Sequence, residues 1–254
     1  YQDNNWGVGL PVASKNEANW PIMQPLLADP ALDPVPANIA AAVDHFQEML
    51  RIRRSSKLFR LPTESEVSDR LDFHNTGPGQ MPGLIVMSTN DDYGDVDLTN
   101  KYIVTLFNAN DDAVVFDSPL NGQVFDLHPV QAASADPIVQ GAYFDMGGGS
   151  FNVPARTTAV FLGPRPVVEQ IDFLIDQVEA LADGDVLNGG QANALIAKLE
   201  AAQRSADRGR SNAAANQLNA FINQVEAFVS AGTLSADEGA ALIAIAEAIL
   251  GSIG

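Results

Sequence analysis

Both tryptophans of the chain, Trp6 and Trp20, fall within its first 20 residues, interleaved with Asn4, Asn5, Asn16 and Asn19. Aromatic rings stack on the apolar faces of sugars and side-chain amides bond sugar hydroxyls, so this set has the chemistry of a carbohydrate contact. Core packing of the two indoles is the competing reading. A second set, Asn90-Asp91-Asp92-Tyr93-Gly94-Asp95-Val96-Asp97, invites a calcium reading. It lacks the glycine placement and terminal Glu of an EF-hand loop, and a solvated loop is expected. Asp183-Gly184-Asp185 with Asn188 resembles half a calcium loop, but its counterpart in the repeat described below, Ser230-Ala231-Gly232-Thr233, carries no acid. A plain helix–helix turn is expected there. Arg51, Arg53, Arg54, Lys57 and Arg60 form a basic cluster. It is either an anion or partner site, or a set of cations that complements a helix C-terminus and pairs with nearby acids; the second is expected. His45, His74 and His128 stand outside any HExxH or triad context, and no GxSxG, P-loop or GxGxxG is present. No carboxylate pair is marked out as acid and base.

The elements that must hold these residues change character along the chain. Residues 1–62 are rich in Asn, Trp and Pro before turning helical, with Pro36 suited to a first helical position and a helix expected to about Arg54. Its apolar face is Ile39, Val43, Phe46, Met49 and Leu50. Residues 63–163 alternate short β-rich runs with turns, with strands expected at 71–75, 83–89, 101–108, 113–117, 142–144, 151–153 and 157–162. That spacing predicts an antiparallel sandwich rather than βαβ units. Leu84-Ile85-Val86-Met87 and Ile103-Val104-Thr105-Leu106-Phe107 read as central strands covered on both faces. Gly163-Pro164-Arg165-Pro166 reads as a linker, because two prolines should end a strand. Beyond it, Gln177-Val178-Glu179-Ala180 matches Gln224-Val225-Glu226-Ala227, and Ala194-Leu195-Ile196-Ala197 matches Ala241-Leu242-Ile243-Ala244 at the same offset of 47. Residues 166–254 are therefore expected to form an all-α module of two helical hairpins, with Asn188 and Ser235 capping the second helix of each.

Composition narrows the function classes. With 14 basic and 32 acidic residues the net charge is −18, which excludes a nucleic-acid partner. The acidity is shared between residues 1–165 (10 basic, 20 acidic) and the remainder (4 basic, 12 acidic), so it reads as a property of the whole surface. The absence of cysteine removes disulfides, thiolate metal sites and a thiol nucleophile. No apolar run reaches the roughly 18 residues of a membrane span; the longest, 240–250, is broken by Glu247, so no transmembrane segment is expected. The first residues lack Met and the pattern of a signal peptide, and read as a cut inside a longer chain.

Several blocks then carry a resemblance. Asp3-Asn-Asn-Trp-Gly-Val-Gly-Leu-Pro11, Lys15-Asn-Glu-Ala-Asn-Trp-Pro21, Arg51-Ile-Arg-Arg-Ser-Ser-Lys-Leu-Phe-Arg-Leu61 and Phe73-His-Asn-Thr-Gly-Pro78 resemble type I pullulanases and limit dextrinases of glycoside hydrolase family 13. Pro82-Gly-Leu-Ile-Val-Met87, Leu127-His-Pro-Val-Gln131 and Val153-Pro-Ala-Arg-Thr-Thr-Ala-Val-Phe161 continue it in order, over about residues 1–163. Lys57 stands where the family usually has Pro, and Ala18 where relatives often have a polar residue. The tail, through Lys198-Leu-Glu-Ala-Ala202, Asn216-Gln-Leu-Asn-Ala-Phe-Ile-Asn-Gln-Val225 and Gly232-Thr-Leu-Ser235, resembles the FIMAH-type helical modules of secreted bacterial proteins.

The resemblance implies a debranching enzyme that hydrolyses α-1,6-glucosidic linkages in pullulan, starch or limit dextrins with retention, through a carboxylate nucleophile and a carboxylic acid. The motifs that carry those carboxylates are absent, so no catalytic residue is assigned and they are expected upstream. It implies a mixed fold: residues 1–62 as the last loop and helix of a TIM barrel, residues 63–163 as an antiparallel β-sandwich, and residues 166–254 as the helical module with its internal repeat of 47. Asn4, Asn5 and Trp6 would then be substrate-binding, in the loop after the last barrel strand. No cofactor or metal ligand is assigned to this chain; calcium belongs, if anywhere, to the complete enzyme. The implied partners are an α-glucan, reached through the complete enzyme, the upstream barrel and, for the tail, a protein or cell surface. The implied location is extracellular and bacterial. On this reading the chain alone is structural and non-catalytic; the alternative is a non-catalytic α-glucan-binding or protein-interaction module.

Overall fold

The structure, a computed structural model, describes residues 9–253. The chain divides into two compact units, Tyr1–Arg51 and Ile52–Gly254. In the first, α1 (Ala13–Asn16) and α2 (Trp20–Leu27) have no buried residue. Helix α3 (Pro36–Ser55) starts at the expected proline and runs into the second unit. Its Val43, Phe46 and Leu50 share one face by helical spacing, yet all three are exposed, Phe46 at 62%. An apolar stripe normally faces a core; among the described residues this one does not.

The second unit begins with the last turn of α3, where Ile52 is buried. A short 3-10 turn, Lys57–Arg60, buries Leu58 and is capped by the Ser56 hydroxyl. Helix α4 (Glu64–Arg70) opens on a reciprocal cap between Thr63 and Glu66. Eight strands follow: β1 (Leu71–Phe73), β2 (Leu84–Asn90), β3 (Asn100–Asn108), β4 (Val114–Asp117), β5 (Asp126–Leu127), β6 (Tyr143–Asp145), β7 (Ser150–Val153) and β8 (Thr157–Pro164), with α5 (Pro129–Ala132) between β5 and β6. They pair antiparallel throughout, in a five-stranded sheet of order β1-β2-β3-β8-β5 and a three-stranded sheet of order β4-β7-β6.

Every expected strand is present, and Asp126–Leu127 is an eighth that the pattern missed. The facing surfaces of the sheets make one core from Leu84, Val86, Val104, Leu106, Phe151, Val153 and Phe161. Phe125, Phe144, Phe151 and Phe161 meet ring to ring, with centroids 4.9–5.2 Å apart. Two sequence expectations change. Pro164 does not end the sheet early: β8 runs through it, because it sits at the last pairing position, opposite Asn100. The middle strands are not covered on both faces along their length. Ile85 and Phe107 pair across β2 and β3 on the outer face and stay exposed.

The tail is a closed four-helix bundle of α6 (Val167–Asp183), α7 (Gly189–Asp207), α8 (Ser211–Ser230) and α9 (Ala236–Ser252), each packed on the next and α6 on α9. Its core repeats the sequence offset residue for residue. Ile171, Leu174 and Val178 of α6 correspond to Leu218, Phe221 and Val225 of α8, and Ala192, Leu195, Leu199 and Ala202 of α7 to Gly239, Leu242, Ala246 and Ile249 of α9, all buried. Asn188 with Gln191, and Ser235 with Glu238, close equivalent capping boxes. The helix stops also repeat: Val186 N–H bonds Leu181 O as Thr233 N–H bonds Phe228 O. The left-handed residue of that stop is Asp185 in one copy (φ 57°) and Gly232 in the other (φ 72°). The apparent half calcium loop is therefore a helix stop, as expected.

Candidate functional site

Asn4, Asn5 and Trp6, the residues the sequence assigns to substrate, lie outside the described residues. Of the companion set, Trp20 is half-buried and its indole N–H donates to Pro11 O at 2.8 Å. Neither described histidine with a perturbed ring is poised for catalysis. His128 is buried, its Nδ1 accepts from Val130 N–H, and its Nε2 lies 3.0 Å from Ser55 Oγ, which in turn donates to Ile52 O. The ring therefore pins the end of α3 to the start of α5, and burial holds its pKa below the usual histidine range. His74 pairs with Ser88 Oγ at 2.7 Å, and burial lowers it too, against an opposing pull from Asp72. The carboxylates that shift, Asp95 and Glu238, both shift down. For Asp95 burial pushes upward, but hydrogen bonds from Arg70 and neighbours outweigh it. A general acid needs the opposite shift.

The acidic loop is the most constrained polar cluster of the described residues, and it is not solvated as expected. Asp91 is fully buried. Its Oδ1 accepts from Arg70 Nη1 at 2.7 Å, and its Oδ2 accepts from Arg165 Nη2 at 3.0 Å and from Val96 and Asp97 N–H at 3.2 and 2.8 Å. Arg165 Nη2 also donates to Asp91 O. Asp97 caps Thr99 and Asn100, and Arg70 reaches Asp95 at 2.7 Å. Two arginines and backbone amides thus take the places that a cation would take, and no group of three or more His, Asp or Glu among the described residues is placed to hold a metal ion. Arg165, 3% exposed at its side chain, sits between the sandwich and the bundle. Glu169 of α6 accepts from Lys101 of β3 at 3.1 Å, Gln170 donates to Arg165 O at 2.8 Å, and Leu98 of the loop packs against the bundle core. The expected linker is a buried joint.

The basic cluster departs from expectation in one respect. Arg53 and Arg54 complete the last turn of α3, where cations are favourable. However, Arg53, Arg54, Lys57 and Arg60 enter none of the ion pairs of the described residues. Arg53 and Arg60 line a cleft of about 350 Å³ on the outer face of the large sheet, floored by Leu58, Ile103 and Thr89, whose buried Oγ1 has no partner. Beside it on the same sheet a cleft of about 510 Å³ is lined by Phe73, Met81, Ile85 and Phe107, with Asn75 and Gln80 at its edge. The Arg70–Asp91–Arg165 cluster left one trace in the sequence, an arginine isolated between two prolines; the open sheet face left none.

Comparison with known proteins places these features. Residues 1–164 match the family described as α-1,6-glucosidases, pullulanase-type, C-terminal, and residues 171–251 match the FIMAH domain. Pullulanase 1, chloroplastic, of Arabidopsis thaliana is 46% identical over 172 residues, covering 65% of this chain and 18% of its own length. The pullulanase of Klebsiella pneumoniae is 28% identical over 167 residues, covering 65% of this chain and 15% of its own. A crystal structure of the Klebsiella pneumoniae pullulanase complexed with maltotriose superposes with a TM-score of 0.53 at 27% identity, over 62% of this chain and 15% of that one. The chain therefore spans less than a fifth of the length of these relatives.

Proposed function

The chain belongs to the C-terminal family of pullulanase-type α-1,6-glucosidases, and from that premise we propose that it serves as the non-catalytic end of a debranching enzyme acting on α-1,6 linkages of pullulan, starch or limit dextrins. Residues 1–62 are read as the last loop and helix of the catalytic (β/α)8 barrel, residues 63–163 as the sandwich that braces it, and residues 166–254 as the FIMAH-type module. The observation that carries this reading is the uncovered apolar face of α3: Val43, Phe46 and Leu50 cost burial energy unless a larger body covers them. The open outer face of β1–β3, with Phe73, Ile85 and Phe107, supports it from the sandwich side. The unpaired guanidiniums of Arg53 and Arg60 suit carboxylates of that same body.

The nucleophile and acid of a retaining glycosidase are a pair of carboxyl groups about 5–5.5 Å apart. On this reading both lie upstream, as would any calcium, and Asn4, Asn5 and Trp6 contact substrate from the barrel's last loop. An extracellular bacterial setting belongs to this reading as part of the proposal, with the module open to a protein or cell-surface contact; no described helix is long and apolar enough to cross a membrane. The test is hydrolysis of pullulan by the complete polypeptide, followed by release of reducing ends. Activity with α-1,6 selectivity is expected, and its absence would overturn the reading. Removing residues 166–254 from the complete polypeptide should leave α-1,6 selectivity on dissolved pullulan in place but lower the melting temperature, because Glu169, Gln170 and the bundle core are bonded to the sandwich.

A further inference from the structure

The dipeptide Asn-Gly occurs twice in the chain, at Asn121-Gly122 and at Asn188-Gly189. Both pairs are exposed, so access to solvent does not separate them. Hydrogen bonding does. Asn188 is held at three points: its Oδ1 accepts from Gln191 N–H at 3.0 Å, its own N–H donates to Gln191 Oε1 at 2.9 Å, and its main-chain carbonyl accepts from Ala192 N–H at 3.0 Å. Gly189 is the first residue of α7. Asn121 and Gly122 instead lie on the connection between β4 and β5, at the centre of a turn closed by one bond, from Gln123 N–H to Leu120 O at 3.3 Å. Gly122 has a positive φ (77°) and Asn121 does not, the type II arrangement that glycine satisfies. The turn is anchored on either side: the Ser118 hydroxyl accepts from Leu120 N–H at 3.2 Å, and the Gln123 amide donates to Pro164 O at 3.3 Å. Between these anchors, neither the Asn121 side chain nor the backbone of Asn121 and Gly122 makes a hydrogen bond among the described residues.

We propose that Asn121 is a site of spontaneous covalent modification, losing its side-chain amide through a cyclic imide with Gly122, and that the helix cap spares Asn188 the same reaction. The Gly122 nitrogen, deprotonated by hydroxide, attacks Asn121 Cγ. The N–Cγ bond forms, the Cγ–Nδ2 bond breaks, and the amide nitrogen takes a proton from water and leaves as ammonia. Water then opens the imide. Attack at the main-chain carbonyl leaves isoaspartate, whose backbone runs through Cγ; attack at Cγ leaves aspartate. The sum is asparagine plus water giving the acid plus ammonia, and no electrons are exchanged. Glycine favours the first step because no Cβ crowds the nitrogen and its φ is free to change. Cγ and the nitrogen must swing together, and an exposed turn held by one bond opens at little cost. At Asn188 the same approach requires the cap to break and the first turn of α7 to unwind. Each conversion at Asn121 adds a negative charge, and isoaspartate also lengthens the backbone between Leu120 and Gln123 by a methylene.

The experiment is to hold the purified 254-residue chain in warm, mildly alkaline buffer, with and without urea, and to follow both sites by peptide mapping that resolves isoaspartate from aspartate. In the folded chain the peptide containing residue 121 should convert at least about fivefold faster than the one containing residue 188, the weight of one helix cap. Isoaspartate should exceed aspartate, and the rate should rise with hydroxide concentration. In urea, where the cap is gone, the two sites should convert at comparable rates. Gly122→Ala has room for its added methyl group and should slow conversion at 121 severalfold. Equal rates at the two sites of the folded chain, or an unconverted Asn121, would overturn the proposal. Aspartate without isoaspartate would exclude the imide, and an unchanged rate in Gly122→Ala would exclude Gly122 as the nucleophile. A difference between the sites that persisted in urea would place its cause in the neighbouring residues rather than in the fold, and overturn the protective role of the cap.

Discussion

The residue that most repays attention is Asp91, because a fully buried carboxylate with two arginines is stable only while all three remain. Asp91→Asn keeps most of the shape but leaves Arg70 and Arg165 without their shared anion. Removing one partner of a buried pair costs about 3–5 kcal/mol, and urea unfolding of the chain should register a loss of that order. His128 sets a pH dependence. Its folded pKa is depressed by burial, whereas the unfolded ring titrates near 6.5. The unfolded chain therefore takes up the proton first, and stability is fully present above about 6.5 and declines as pH falls through that value toward the folded one. His74 is depressed in the same direction and adds to the decline. His128→Asn should flatten part of the drop in melting temperature between neutral and mildly acidic solution; an unchanged drop would contradict the assignment. Little of this was legible in the sequence. The acidic loop was visible as a string, but the arginine that neutralises it lies 74 positions away. Spacing arguments do not reach that far, and both readings of the loop, calcium or solvent, assumed local partners.

At the level of elements the sequence was far more informative, because helices and strands write their core contacts at short period. The repeat at offset 47 anticipated the two hairpins and the caps at Asn188 and Ser235; that Gln191 closes a reciprocal box with Asn188 came from the structure. It also exposes an exchange of volume between the copies. Where the first has Ala182 and Ala192, the second has Val229 and Gly239, and a Cβ on Gly239 would collide with the Val229 side chain. Gly239→Ala should therefore destabilise the bundle by about 1–3 kcal/mol through overpacking. Adding Val229→Ala recreates the pair of the first copy and should recover most of the loss. If the two losses simply added, the contact would not be the cause. The strands were found from alternation and turn residues, and the exception is instructive. Asp126–Leu127 pairs with β8 over two residues, too short for any period to show. Pro164 misled for the opposite reason: proline breaks a ladder in mid-sheet, but at the final pairing position it removes nothing.

For the molecule as a whole, the joint between sandwich and bundle changes how the tail is understood. A Pro-flanked segment suggested a tether. Instead Arg165, Glu169, Lys101 and Leu98 bind the two together, and residues 52–254 form one compact unit. That unit should unfold in one calorimetric transition, and two resolved transitions would contradict the joint. The opposite holds for the apolar surface of α3 and of the outer sheet, which the sequence presented as core and the structure leaves open. Periodicity reports that a face is apolar; it does not report what covers it. The proposal that a catalytic barrel does so, and that the carboxylates of the reaction are not in this chain, is the central claim. It is tested most directly by incubating the purified 254-residue chain with pullulan beside the complete polypeptide and measuring reducing ends. The account predicts release by the complete polypeptide and none by the chain alone; release by the chain alone would contradict it.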